Sequence, residues 1–257
     1  MTIETLGPML TMGVLTGARV SGVMVFAPML NSPAIPARVK AVLTLALTFL
    51  LTPLGKPPGL AELTLAGGAG AILSEMLVGL LLGLTLQFVF EAAQFAGQIL
   101  GFQMGYSLAS VFDPQSQAET PVLATLNQLV VLMIFLHLNV HHWLLRGLAR
   151  SVSYVPLGSA TWKGPALHEL LRSSAGLWLA GVQIAAPALA ATLLADVALG
   201  FLGKASPQLP VLFIGLPVKS MLGMVVLTGA VAYWPRFFES HFLTAIGQGE
   251  RLLQLVR

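Results

Sequence analysis

The chain contains no cysteine and little charge, and each shortage narrows what it can be. Without a thiol there is no disulfide framework and no thiolate metal site. Charged residues make up 9% of the sequence, against about a quarter in water-soluble domains, so a fully solvated surface is excluded. The net charge of +3 comes from scattered cations, which leaves no basic patch for nucleic acid. Catalytic signatures are also missing: there is no Gly-x-Ser-x-Gly elbow and no Gly-Lys-Ser/Thr phosphate loop. Gly67-Gly68-Ala69-Gly70 lacks a lysine and opens an apolar stretch, so helix packing explains it better than a nucleotide. The reading is of a protein that is not an enzyme and carries no cofactor or metal.

What fills the chain is apolar: 56% of its residues are hydrophobic. On the rule of about twenty residues per membrane crossing, candidate spans run over residues 6–30, 39–54, 65–90, 92–112, 122–145, 175–202 and 209–234. The sequence therefore predicts an all-α, integral-membrane-type protein of six to seven helices. The start of the chain holds Glu4 but no Lys or Arg before Gly7, so the first apolar stretch reads as retained rather than as a cleaved signal. Residues 146–174 form the longest polar connection, with Arg146, Arg150, Lys163 and Arg172 against a single Glu169. They are the boundary expected between an N-terminal part, 1–150, and a C-terminal part, 174–257, with 151–173 between them. Basic residues fall on connections that would alternate sides if every stretch crossed once. Either some stretches are hairpins that do not span, or the chain inserts as part of an assembly.

The run 66–112 carries just two charges, Glu75 and Glu91. Within it Gln87, Glu91, Gln94 and Gln98 recur at helical spacing and form one polar stripe, which in hydrocarbon needs protein or water against it. Ala93, Gly97, Gly101 and Gly105 recur every fourth residue, the small-residue pattern that lets two helix backbones approach. The run breaks at Asp113-Pro114-Gln115-Ser116-Gln117.

Arg19, Glu75, Asp196 and Lys219 sit in apolar surroundings, where an unpaired charge is expensive. They read either as an ion or proton pathway or as pairs that fix helix or subunit register. The second reading is preferred, because a relay needs several carboxylates or histidines in chain. His137 and His141 share a helical face beside His142, but no carboxylate stands near them, and an interfacial belt with Trp143 and Arg146 accounts for them better than a metal. The tail 236–257 spaces Phe237, Phe238, Phe242, Ile246, Leu252, Leu253 and Val256 among polar residues and reads as an amphipathic segment against an interface or a partner.

Several stretches, in order from Arg19 to Lys219, resemble one family. They are Arg19 with Ala27-Pro28; Ala34-Ile35-Pro36-Ala37-Arg38-Val39-Lys40; Glu75 with Gly79 and Gly83; Gly101-Phe102-Gln103-Met104-Gly105-Tyr106-Ser107-Leu108-Ala109 leading to Asp113-Pro114; Asn139 with His141; and Ser206-Pro207-Gln208-Leu209 leading to Ile214-Gly215-Leu216-Pro217. Together they resemble the FliR family of flagellar and type III secretion export-apparatus proteins, with the Gly-Phe-Gln-Met-Gly to Asp-Pro stretch closer to the flagellar branch. The resemblance implies kinked helical hairpins in a larger helical export-gate assembly in the bacterial inner membrane, within the flagellar basal body. It implies one copy of this chain with FliP-like and FliQ-like subunits, contact with an FlhB-like switch protein, and passage of unfolded flagellar proteins. It also implies that residues 1–150 are FliP-like and 174–257 FliQ-like.

By the same resemblance residues 106–120 match a loop that plugs the pore. Met104, Tyr106, Phe112, Asp113 and Pro114 are its candidate residues, and Pro207 and Gln208 a family-like turn. Lys219 departs from the pattern, where an apolar or hydroxyl residue is equally acceptable. A reading from another class is an ion-coupled membrane transporter binding its ion at Glu75 and Asp196, although the two halves show no inverted repeat.

Overall fold

A computed structural model describes residues 3–32, 35–55, 65–106, 122–162, 164–208 and 210–256. Eight α-helices run through them: α1 Ile3–Phe26, α2 Ala37–Leu51, α3 Leu65–Gln103, α4 Val122–His137, α5 Val140–Tyr154, α6 Gly164–Ala205, α7 Val211–Val231 and α8 Trp234–Leu255, with a short 3-10 turn at Thr52–Leu54. No strand occurs among the described residues, so the all-α expectation holds. Five helical stretches are long and apolar enough to cross a membrane, and the broken pair α4 and α5 would make a sixth.

Three boundaries differ from the sequence reading. Residues 65–90 and 92–112 had read as separate spans, but α3 is continuous from Leu65 to Gln103, because a lone half-buried glutamate at Glu91 does not interrupt backbone hydrogen bonding as proline would. The stretch 122–145 is broken at Asn139, whose left-handed backbone (φ 55°, ψ 31°) precedes α5, a conformation that asparagine tolerates better than most residues. The polar connection 146–174 is largely helical, with only 155–163 left between α5 and α6. Arg146, Arg150, Glu169 and Arg172 lie on these helices, and Lys163 lies outside the described residues.

The contacts divide the chain into two units, each assembled from separated segments. The first comprises Met1–Phe88, Phe135–Ser174 and His241–Arg257, and the second Val89–Ile134 and Ala175–Ser240. In the first, α1 meets α3 backbone to backbone. A side chain at Gly22 would strike the Met76 carbonyl, one at Gly79 the Arg19 carbonyl, and one at Gly83 would lie 2.9 Å from the Val23 carbonyl. Glu75, Gly79 and Gly83 are four residues apart and so share one face of α3, and that face lies against α1.

The C-terminal residues of α8 complete this core. Phe242 stacks edge-on against Phe135 at 5.6 Å, Leu252, Leu253 and Val256 are fully buried, and the Val256 carbonyl accepts the Thr161 N–H at 2.7 Å. The amphipathic tail therefore packs its apolar face against its own chain.

In the second unit α3 approaches α4 and α6. A Cβ at Gly97 would lie 2.6 Å from the Ala124 nitrogen, and Asn127 Nδ2 donates to the Ala93 carbonyl at 3.2 Å. Phe95 meets Trp178 edge-on at 4.6 Å, over Gly181, where an added Cβ would sit 2.6 Å from the Phe95 ring. Large apolar side chains stay exposed along α2, α6 and α7, among them Phe49, Leu194, Phe213 and Met221. Surfaces of that kind meet lipid or other subunits rather than water.

Candidate functional site

The four isolated charges form two pairs, one in each unit. Arg19 on α1 and Glu75 on α3 are fully buried and joined at 2.6 Å through Nε and Oε2. Each nitrogen of the guanidinium and each oxygen of the carboxylate makes a hydrogen bond. Arg19 Nη1 donates to Ser151 Oγ at 3.1 Å and Nη2 to the Val155 carbonyl at 2.9 Å. The other carboxylate oxygen of Glu75 accepts the Gly158 N–H at 2.8 Å. Gly158 has φ 78°, a left-handed backbone that glycine adopts without a Cβ clash. A buried ion pair is tolerated when its remaining donors and lone pairs are satisfied in this way, and the result pins α1, α3, α5 and the turn after α5 together.

The second pair is wetter. Lys219 on α7 approaches both oxygens of Asp196 on α6, at 2.7 and 2.9 Å, with Lys219 13% and Asp196 42% exposed. Gln103, the last residue of α3, donates through Nε2 to Asp196 Oδ2 at 2.8 Å. Next to it the Ser220 hydroxyl donates to the Met104 carbonyl at 2.7 Å.

The end of α3 closes on itself as well. The Tyr106 N–H bonds the Gly101 carbonyl at 2.9 Å and the Gly105 N–H the Phe102 carbonyl at 3.1 Å, with Gly105 at φ 84°. This is the Schellman arrangement, which satisfies the last carbonyls of a helix. The C-terminus of α3 is thus held by its own cap, by Ser220 and by the Asp196 to Lys219 pair.

The stripe of small residues splits by role. Ala93 and Gly97 provide the close approach to α4, Gly101 has open space where a side chain would go, and Gly105 is the left-handed cap residue. In the polar stripe Gln87, Glu91 and Gln94 are half-buried and Gln98 is exposed.

Met104 is fully buried, its terminal methyl lying where a side chain at Gly223 would stand, while Tyr106 is 41% exposed. Phe112, Asp113 and Pro114 lie outside the described residues. Pro207 and Gln208 are exposed turn residues just after α6. The rings of His141 and His142 lie 4.2 Å apart, and among the described residues no group of three metal-ligating side chains occurs.

Sequence reasoning did not single out Ser151, Gly158 or Ser220, and it named Gln103 only as part of the family-like stretch from Gly101 to Ala109. Gly158, in the run Pro156-Leu157-Gly158-Ser159, had a local signal as a turn glycine. Ser151 and Ser220 had none, since their partners are distant in sequence.

Both buried-region carboxylates are already engaged by a cation of the same chain and a further donor. A coupling ion would have to displace Arg19 or Lys219, so the arrangement suits holding helices in register better than cycling an ion.

Residues 10–245 match the family of bacterial export proteins, family 1. The chain is 31% identical over 224 residues to the flagellar biosynthetic protein FliR of Escherichia coli (strain K12), covering 87% of this chain and 85% of that protein. It is 32% identical over 218 residues to FliR of Bacillus subtilis (strain 168), covering 81% and 82%. With FliR of Aquifex aeolicus (strain VF5) the identity is 25% over 215 residues, covering 84% and 83%.

Proposed function

The chain belongs to the bacterial export proteins, family 1, which includes the flagellar FliR proteins, and on that premise we propose that it is a subunit of the flagellar protein export gate. In this reading one copy assembles with FliP-like and FliQ-like subunits in the bacterial inner membrane, within the flagellar basal body, and touches an FlhB-like switch protein. Residues 1–150 act as the FliP-like part and 174–257 as the FliQ-like part. The assembly forms the channel for unfolded flagellar proteins, and this subunit contributes no catalysis.

The observation that carries the reading is the family match over residues 10–245. The exposed apolar faces of α2, α6 and α7 support it, because they offer area to neighbouring subunits. Residues 106–120 serve as the plug that helps close the channel, with Tyr106, Phe112, Asp113 and Pro114 in the loop and the buried Met104 as its footing. The anchored end of α3 supports this role, since a plug needs a fixed base.

Native mass spectrometry of the chain co-expressed with neighbouring FliP and FliQ candidates in mild detergent tests the assembly. One copy of this chain with several of each partner is expected. A monomer or homo-oligomer with well-expressed partners would overturn it. Removing residues 107–119 from an assembled complex should make it leak small solutes, and a complex that stays sealed would remove the plug role.

A further inference from the structure

Helices α6, α7 and α8 line a half-open cleft of about 410 Å³ in the second unit. Ile184 and Pro187 of α6, Val226 and Ala230 of α7, and Trp234 and Phe237 of α8 form its walls, and Gln183 is the one amide among them. Water in such a cleft would find few hydrogen-bond partners, so the natural occupant is apolar. An extended hydrocarbon chain is an apolar occupant of that kind.

The surroundings point to the source of that chain. Helices α6 and α7 meet the length and apolarity of membrane-crossing segments, and Leu179, Val182 and Val225, close in sequence to the lining residues, are exposed. At the junction of α7 with α8 the apolar run ends in Tyr233-Trp234-Pro235-Arg236. Tyrosine and tryptophan at the end of an apolar helix mark headgroup depth. Tyr233 is 74% exposed and Trp234 buried as part of the wall. Arg236, exposed, forms no ion pair among the described residues, and its guanidinium matches a phosphate.

We propose that this cleft binds one glycerophospholipid, with an acyl chain along the Ile184, Val226 and Phe237 wall and the phosphate at Arg236. Nothing in the assignment to the export gate requires this site, and either can fail without the other.

The test reconstitutes the full chain in phosphatidylethanolamine and phosphatidylglycerol vesicles containing phosphatidylglycerol with a diazirine on its acyl chain. Illumination and peptide mass spectrometry then locate the label. Label is expected to concentrate at Ile184, Pro187 and the segment from Val226 to Phe237, above the level on the exposed face of α2 at Leu45 and Phe49. Two variants that fill the cleft from different positions, Ala230→Trp and Val226→Phe, should each remove the cleft label and leave the α2 label unchanged. That unchanged label shows that a variant has folded and inserted.

Arg236→Gln should lower cleft labelling by about fivefold, the factor for about 1 kcal/mol per surface cation near phosphate, and leave labelling by a diazirine fatty-acid methyl ester unaltered. Cleft label no higher than that on α2, or unmoved by both filling variants, would overturn the proposal. So would its loss when FliP and FliQ candidates are co-reconstituted, which would make the cleft a subunit contact.

Discussion

Arg19 and Glu75, 56 positions apart in the chain, meet at 2.6 Å with neither side chain open to solvent. Their partners on α5 and the turn that follows it make one polar node from four segments. An isolated pair at this depth would be a burden on the fold, because desolvation of each ion can exceed their attraction. With all three guanidinium nitrogens and both carboxylate oxygens engaged, the node instead favours one register of α1 on α3.

Neutralising one partner should therefore be costly. Glu75→Gln retains an acceptor for the Gly158 N–H but leaves Arg19 buried without a counter-charge, and about 3–5 kcal/mol of stability should be lost. Arg19→Met should lose a similar amount, and the double variant less than the sum of the two. Thermal melting in one detergent measures all three, and additive losses would refute the coupling. A fall in assembly yield with no change in ion dependence would support pairing over transport.

Gly158→Ala should destabilise by about 1–2 kcal/mol, the cost of a left-handed backbone for a residue with a Cβ. Because that strain is local, the same loss should appear in the Glu75→Gln background. If the cost disappears there, Gly158 acts only through its hydrogen bond to Glu75.

The Asp196 to Lys219 pair should respond unequally. Lys219→Met leaves a half-exposed carboxylate that solvent and Gln103 can still serve, so the loss should stay within about 1 kcal/mol, the range of exposed pairs. Asp196→Asn leaves Lys219, 13% exposed, without its charge partner, and should cost more. Equal melting temperatures for the two variants, or the reverse order, would show that burial does not set the cost.

Gly97→Leu should separate α3 from α4, since even a Cβ there would meet the Ala124 backbone. Gly101→Leu should be mild by comparison, because space is open at that position. Helix proximity measured by cysteine cross-linking between α3 and α4 would distinguish them. Equal loss at both positions would mean that the four small residues act as one packing stripe after all.

Composition and periodicity by themselves determined the membrane class, the all-α architecture and the rule that Arg19, Glu75, Asp196 and Lys219 must find partners. These follow from local physics: hydrocarbon requires internal hydrogen bonding, and a buried charge requires compensation. The ordered motifs from Arg19 to Lys219 also carried the family resemblance.

Tertiary structure alone decided which charge meets which, because Arg19 with Glu75 and Lys219 with Asp196 depend on how helices lie side by side, and no spacing rule encodes that. It also divided Ala93, Gly97, Gly101 and Gly105 into contact, open space and cap. A four-residue spacing specifies a shared helix face, but whether a neighbour covers that face, or whether the helix has already ended, depends on the surrounding chain.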